Sequence, residues 1–357
     1  MNKVSILARI IVVSLILNGC SSVSYLTHTT SGHLELMSKR QKIEQALEDE
    51  NISTETKIEL QRALKIRAFA SNELALPDNN SYLSFVSLER DYVTWVVFAS
   101  AEYSLDPVSW CFLIVGCIPY RGYFSEDKAQ EFSLTMLDQG YEIYIAPVPA
   151  YSTLGWFDDP LLSTMLNQGE TVTANYIFHE LAHQQIYISG DPGFNEAFAS
   201  AVADLGVIRW LQAEHDSEAL RAYRRRLKIK KQVYEYTHAF RVRLKEIYAA
   251  DNDPDTMQAQ KSDAFMNYKA GIKQLVSQHG GSKKYSDWLL KDLNNAKLGA
   301  MATYQELVPA FKSLFERCDN NFELFYQVVA SMKALDNEQR RLQIDSNDCT
   351  QTKRANF

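Results

Sequence analysis

The chain has 357 residues, of which 46% are hydrophobic and 23% are charged, so extensive intrinsic disorder is excluded. Its length is enough for one large domain or two modest ones. The formal net charge of -7 argues against a protein that binds nucleic acid by broad neutralisation of phosphates.

The N-terminus is predicted to be a lipoprotein signal peptide, residues 1–19. Lys3 and Arg9 precede an apolar run that is too short to span a bilayer by itself. The run ends in Leu-Asn-Gly-Cys, which resembles the bacterial lipobox, so lipid attachment is expected at Cys20. The alternative is a buried N-terminal helix that ends in a chance cysteine.

This leader implies an exported protein that acyl chains hold at the membrane. Serines at 21 and 22 favour, by analogy, the outer membrane, with the protein facing the periplasm. Residues 20–34 are rich in Ser, Thr and Gly, which is typical of a flexible tether.

The next segments are predicted in chain order as a helical hairpin at 35–75 and a sheet region at 81–152. The hairpin is indicated by two amphipathic patterns, and the sheet by four segments rich in β-branched and aromatic residues. A helix at about 125–139 precedes the fourth of these segments.

Almost everything after about residue 159 has a helical pattern. Helices at 159–212 are followed by a larger helical part at 216–357, within a single domain at 35–357. The sequence therefore predicts an α+β fold. The basic run at 221–231 is most simply a solvated helix face, with lipid headgroups or an acidic partner as the alternative.

Four cysteines remain once Cys20 carries lipid, and an oxidising compartment favours disulfides between them. Three pairings are open. Cys111 with Cys117 and Cys318 with Cys349 is the most economical choice, because each bond closes a short or local loop.

The segment "FHELAHQQ", residues 178–185, predicts a metal site. Residues four apart lie on one face of a helix, so His179 and His183 can present two imidazoles to one ion. Glu180 is rotated by about a quarter turn, which places its carboxylate beside the ion. A zinc ion lowers the pKa of a bound water to near 7, and a neighbouring base can remove its proton during attack on a carbonyl.

A third ligand is predicted on the following helix, after a turn at 190–193. Glu196 lies near the start of that helix, and two histidines with one carboxylate leave one coordination position open, as in catalytic zinc sites. Asp191 and Asp204 are the alternative ligands. Glu196 could instead stabilise the helix N-terminus.

The combination "HELAH…NEAFA" resembles the gluzincin metallopeptidases, whose motif pairs His-Glu-x-x-His with Asn-Glu-x-x-Ala. More narrowly, the chain resembles a bacterial family of predicted zinc aminopeptidases that are often lipoproteins. The resemblance spans about 115–310, in "VGCIPYRGYF", "VPAYSTLGWFDDPLLSTML", "IFHELAHQ", "FNEAFA" and "LNNAKLGAMATYQELVPAF". It implies a zincin-like fold, peptide-bond hydrolysis, one zinc ion on His179, His183 and Glu196, and Glu180 as general acid/base.

Two features depart from the best-known relatives. Thermolysin-like enzymes have an aspartate four residues after the ligand glutamate, where this chain has Ser200, so a histidine would need other support, with Asp204 as a candidate. The Gly-x-Met-x-Asn element that accompanies recognition of the substrate amine is absent. The residues themselves therefore indicate hydrolysis of an amide, and aminopeptidase specificity follows from the resemblance alone.

Three further residues are candidates for the cleft. Zincins bind substrate along a sheet edge, here residues 145–156, where Tyr151 is either exposed to substrate or buried. Tyr304 is the candidate donor to the oxyanion. Arg121 could hold a substrate carboxylate, or form a structural ion pair.

These observations favour a lipid-anchored zinc-dependent peptidase, most simply an aminopeptidase, whose partners are a peptide and the membrane. The alternatives are a catalytically silent zincin-fold scaffold lipoprotein and a hydrolase of cell-wall amide bonds. Glu180 counts against the scaffold, because a silent protein does not need a base.

Overall fold

The computed structural model of the chain describes residues 24–112, 116–346 and 349, apart from the side chains of residues 304 and 305. The predicted signal peptide and Cys20 therefore lie outside the described residues. None of the helices in the described ranges combines the length and apolar character that a bilayer crossing requires.

Helices dominate the chain, and short strands are concentrated in its first half, so the predicted α+β class is confirmed. The helices are α1 (24–38), α2 (Ile43–Glu48), α3 (Thr54–Leu74), α4 (Glu126–Leu137), α5 (Ser163–Leu166), α6 (Glu170–Gln185), α7 (Pro192–Ala213), α8 (Ser217–Ala249), α9 (Pro254–Gln278), α10 (Lys283–Leu290), α11 (Asn295–Gln305), α12 (Val308–Arg317), α13 (Phe322–Ser331) and α14 (Asn337–Ser346).

Within the described residues, three small sheets accompany these helices, with strand orders β1-β2-β8, β6-β3-β7 and β4-β5. The β6-β3-β7 sheet is antiparallel. The strands are β1 (Gln41–Lys42), β2 (Ser84–Val86), β3 (Thr94–Ala101), β4 (Trp110–Phe112), β5 (Gly116–Ile118), β6 (Arg121–Tyr123), β7 (Tyr141–Val148) and β8 (Leu161–Leu162).

Helices α6 and α7 form the centre of the molecule and run antiparallel. Near the start of α6, Glu170 Oε1 accepts a hydrogen bond of 2.9 Å from the Trp210 indole at the end of α7. At the opposite end, the Asn195 side chain bonds both backbone groups of Ile188, at 2.9 and 2.7 Å. This amide latch fixes the turn between the helices, so residues on their facing sides meet in a defined order.

The predicted tether at 20–34 is helical from residue 24 onwards. Its side chains pack on the body: the Arg121 guanidinium lies 4.0 Å from the ring centroid of Tyr25, and a Cβ at Gly32 would collide with the Phe124 ring. The composition of this segment predicted a flexible tether, but its contacts with the rest of the protein stabilise a helix instead.

The helical part is also more broken than the pattern predicts. Within the predicted helical part at 216–357, residues 283–317 form three separate helices, α10, α11 and α12. Asp292 has a positive φ of 52°, Asn294 caps α11, and Pro309 is the second residue of α12. Each of these local choices stops one helix and starts another.

Candidate metal centre

Helix α6 buries one face and leaves the other partly open. Ile177, Phe178, Leu181 and Ala182 are fully buried in the main core. His179 and Glu180 are partly exposed, while His183 is buried. The apolar residues at this spacing hold the helix in place and leave His179 and Glu180 on its partly exposed side.

Helix α7 begins earlier than predicted, and this settles what Glu196 does locally. Asp191 is the N-cap and accepts a hydrogen bond from Phe194 N, with Pro192 as the first helical residue. Glu196 therefore lies one turn inside the helix, and Asp191 rather than Glu196 stabilises the N-terminus.

The structure brings His179, His183 and Glu196 together around one point. His183 Nε2 lies 3.1 Å from His179 Nε2. Glu196 Oε2 lies 3.3 Å from His179 Nε2 and 3.7 Å from His183 Nε2. Among the described residues, these three have ligand atoms that all lie within 4.8 Å of one another.

These separations fit a metal ion. Ligand atoms at zinc's usual 2.0–2.1 Å in tetrahedral geometry are about 3.3 Å apart. The two imidazole nitrogens and one carboxylate oxygen also match the donor types that zinc prefers. The residues present therefore fit one ion with a fourth position open.

Electrostatic coupling within the group is strong. Burial by itself raises the pKa of Glu196, but the charges and hydrogen bonds of His183 and His179 outweigh it and lower the pKa to about 2. Burial raises the pKa of Glu180 in spite of opposing contributions from both histidines. Glu196 is thus held as an anion, while Glu180 keeps a greater affinity for a proton.

The two competing ligands have other partners. Asp191 Oδ2 lies 2.8 Å from Arg340 Nε in a buried ion pair. Asp204 Oδ2 lies 2.6 Å from Lys312 Nζ, and its Oδ1 accepts from Tyr223 Oη at 3.0 Å. Neither carboxylate is free to replace Glu196.

Asp204, the residue expected to orient a ligand histidine, does not contact either histidine. Asp204 contacts Lys312 and Tyr223 rather than an imidazole. His183 Nδ1 is buried and has no hydrogen-bond partner within the part of the chain that the structure describes. The second-sphere contact expected for a ligand histidine is therefore not supplied by Asp204.

A polar network anchors α6 beside Glu180. Gln184, one turn further along, accepts from Asn79 Nδ2 at 2.7 Å and donates to Ser81 Oγ at 3.2 Å and Asp159 Oδ2 at 3.4 Å. Asp159 is fully buried and also accepts from Thr153. These bonds fix the rotation of α6 against the preceding loops.

Two of the other predicted cleft residues, Arg121 and Tyr151, do not join the three converging side chains. The Arg121 guanidinium is packed over the rings of Tyr25 and Phe132, at 4.0 and 4.5 Å. Tyr151 Oη hydrogen-bonds His33 Nδ1 at 3.3 Å. Tyr304 belongs to α11, and its side chain lies outside the described residues.

Two tyrosines that sequence reasoning missed interact with the centre, Tyr120 through its electrostatics and Tyr187 through a ring contact. Burial, followed by the charges of Glu196, Tyr187 and Glu180, raises the pKa of Tyr120 well above its ordinary value. The Tyr187 ring lies 6.5 Å from that of His183. The four-residue spacing of 179, 183 and 187 was the available signal for Tyr187, whereas nothing distinguishes Tyr120 among 19 tyrosines.

The predicted substrate edge spans residues 145–156, of which 145–148 belong to β7, an edge strand of its sheet, while 149–156 belong to no strand. Val93 N donates to Val148 O on the β3 side of β7 at 3.0 Å, and Asn294 Nδ2 approaches Ile143 O from the other side at 2.8 Å. Because the backbone alternates, Pro147 has the same parity as Ile143 and its missing N–H falls on the outer side.

Both of the economical cysteine pairs form disulfides. Cys111–Cys117 links β4 to β5, and Cys318–Cys349 links the end of α12 to the C-terminal segment. They secure the hairpin and the end of the chain rather than the metal centre.

Comparison with known proteins yields one family. A family model described as "Putative aminopeptidase" matches residues 24–344, which is most of the chain. No curated protein and no solved structure gives a significant match.

Proposed function

The chain belongs to the family described as "Putative aminopeptidase", and we propose that it is a zinc-dependent peptidase of the gluzincin type with a zincin-like fold. The observation that carries this proposal is the convergence of His179, His183 and Glu196 within 4.8 Å. Family membership supports the peptidase activity, and the donor set supports zinc.

Each proposed ligand residue would bind the zinc ion through a defined atom. His179 and His183 would bind through Nε2, and Glu196 through Oε2, the atoms that converge. When bound, zinc supplies a Lewis acid that lowers the pKa of a water and polarises a carbonyl. Burial of the site strengthens these electrostatic interactions, because less solvent screens them.

Glu180 moves the proton. Its carboxylate follows the first ligand directly in sequence and shares the open face of α6 with His179. A carboxylate at this position can accept a proton from the attacking water and then donate it to the leaving amine. The hydroxyls of Tyr120 and Tyr187 are the candidates for hydrogen-bonding the oxyanion.

The protein is further proposed to be anchored at the bacterial outer membrane through lipid on Cys20. Support comes from the basic and apolar leader and from the lipobox-like sequence that precedes the first described helix. The packing of α1 on the body implies that little free chain separates such a lipid from the folded domain.

The test is metal analysis combined with a peptide panel. The purified mature protein should contain about one zinc per chain, and chelation should remove its activity on short peptides. Peptides with a free N-terminus should be cleaved and acetylated ones spared. Cleavage of both alike would indicate an endopeptidase, and no cleavage by the zinc-loaded protein would overturn the proposal.

A further inference from the structure

Two large aromatic side chains are exposed side by side on the loop that follows β7. Trp156 is 69% exposed and Phe157 is 55% exposed. Leu34 of α1, which is 62% exposed, follows His33, whose ring lies 4.9 Å from that of Phe157. We call Leu34, Trp156 and Phe157 the apolar patch. Exposed apolar side chains that cluster in this way mark an interaction site, whereas scattered ones do not.

Hydrogen bonds fix the loop that carries the two aromatic residues. The fully buried Asp159 accepts from Thr153 N at 3.0 Å and from Thr153 Oγ1 at 2.7 Å. Thr153 in turn accepts from Phe157 N through Oγ1 and from Trp156 N through its carbonyl oxygen, both at 3.1 Å. The backbone therefore presents Trp156 and Phe157 to solvent in a defined conformation.

Helix α1 and this loop form one continuous surface. The Tyr151 hydroxyl hydrogen-bonds His33 Nδ1 at 3.3 Å. Beyond the end of α1, Arg40 Nη1 donates to the Asp158 carbonyl at 2.9 Å. Leu34 is thus held at a fixed place beside the aromatic rings.

The proposed lipid anchor brings a bilayer close to this surface. Cys20 lies four residues before the first described residue, and four extended residues reach about 14 Å at most. Leu34 lies a further ten residues along the chain, which is about 15 Å along a helix axis. The membrane that holds the lipid therefore meets the apolar patch when α1 lies along its surface.

The charges around the apolar patch balance one another. The exposed Lys39 pairs with Glu35 at 2.6 Å, and the exposed Arg40 lies beside the exposed Asp158. This surface therefore carries no local excess of charge, although the chain as a whole has a net charge of -7. Such a neutral rim fits zwitterionic headgroups, and tryptophan side chains favour the membrane–water interface.

We propose that the apolar patch inserts into the interface of a lipid bilayer and orients the anchored protein with α1 along the membrane. The inference rests on the proposed lipid anchor and identifies the surface that meets the membrane. Because the strength of interfacial binding scales with the apolar area that is buried, loss of the two rings should weaken it.

The first test is tryptophan fluorescence of the lipidated protein in vesicles of phosphatidylethanolamine and phosphatidylcholine. Part of the phosphatidylcholine is brominated on its acyl chains, since bromine quenches tryptophans that enter the bilayer. Trp156→Leu should remove most of the quenching. Trp288→Leu is the matched control and should preserve it, because Trp288 is 58% exposed but lies on α10, outside the apolar patch. Quenching that is absent in the parent, or that persists in Trp156→Leu, would overturn the inference.

The second test measures binding without the lipid. Residues 1–20 are replaced by a cleavable secretory leader, and sedimentation with the same vesicles gives the partition coefficient. Replacing Trp156 and Phe157 together by serine should lower this coefficient at least about tenfold, whereas Trp288→Ser should leave it unchanged. Far-UV circular dichroism verifies folding, and Leu34→Ser on α1 provides the comparison if the double variant misfolds.

An unchanged partition coefficient in the double serine variant would also overturn the inference. If that variant instead showed a raised KM for peptides, the apolar patch would be assigned to substrate binding. Mass spectrometry of the mature protein tests the anchor separately. A Cys20 without lipid, in a protein whose apolar patch still binds vesicles, would refute only the proposed lipid attachment.

Discussion

Nε2 of His179 and Nε2 of His183 lie 3.1 Å apart, and Oε2 of Glu196 completes the group from a different helix. The two histidines are brought together by the helical repeat. Glu196 reaches them because the Asn195 latch fixes the turn between α6 and α7. The centre therefore depends on one helix for its first two donors and on one turn for its third.

Glu180→Gln should retain zinc and lose at least about two orders of magnitude in kcat, because the change deletes the proton-transfer group and keeps the shape of the side chain. Zinc content and peptide hydrolysis are measured on the same preparation. The exposed Glu214→Gln serves as the control and should match the parent. Full activity in Glu180→Gln would disprove the role of this residue.

Glu196→Ala should reduce zinc affinity by more than about 100-fold, since loss of a direct ligand exceeds the usual effect of an outer-sphere contact. Competition with a chromophoric chelator measures this affinity. Asp191→Asn is the comparison: it should keep zinc and lose about 3 kcal/mol of unfolding free energy, because Arg340 stays buried without its partner. The reverse result would make Asp191 the ligand.

The Cys318–Cys349 disulfide should contribute about 3 to 4 kcal/mol to the free energy of unfolding, as expected from restricting a loop of 31 residues in the unfolded chain. Urea denaturation of the double serine variant measures the loss. The pair Cys111 and Cys117, separated by 6 residues, should contribute about 2 kcal/mol. A larger loss from the shorter loop would contradict this account.

Stability should rise between pH 8 and 10.5 because of Lys297. Burial lowers the pKa of this lysine from 10.5 to about 8, while its Nζ donates to the carbonyls of Trp288 and Lys291. In this window the unfolded chain binds more protons than the folded one, so the free energy of unfolding increases with pH, by up to about 3 kcal/mol.

Lys297→Met should remove that increase relative to the parent, whereas the exposed Lys291→Met should not. Denaturant titrations at pH 7.5, 9 and 10.5 test this expectation. A parent protein whose stability is unchanged over the window would show that the buried amine keeps its ordinary pKa.

Local rules account for much of the fold. Helix α4 agrees closely with the helix predicted at about 125–139, capping side chains begin α4, α8 and α9, and both long strands appear where β-branched residues are concentrated. The helical state of residues 24–34 could not be inferred, because it depends on rings and a guanidinium contributed by distant segments.

In the candidate site, too, some features follow from local sequence and others depend on contacts between distant segments. The spacing of His179, Glu180 and His183 is a local property that the helical repeat converts directly into geometry. Arg121 has the right chemistry for a substrate contact, yet its position on β6 packs it against Tyr25 and Phe132. The charge of Arg121 suggested that it binds substrate, but the side of β6 on which it lies places it against these aromatic rings instead.

The sequence by itself determined the α+β class, the two histidines with their neighbouring base, and the family resemblance, since each depends on residues close together in the chain. Only the tertiary structure decided that Glu196, rather than Asp191 or Asp204, joins the histidines. That outcome depends on how antiparallel helices align and on which buried charges already have partners, and the local spacing of residues specifies neither.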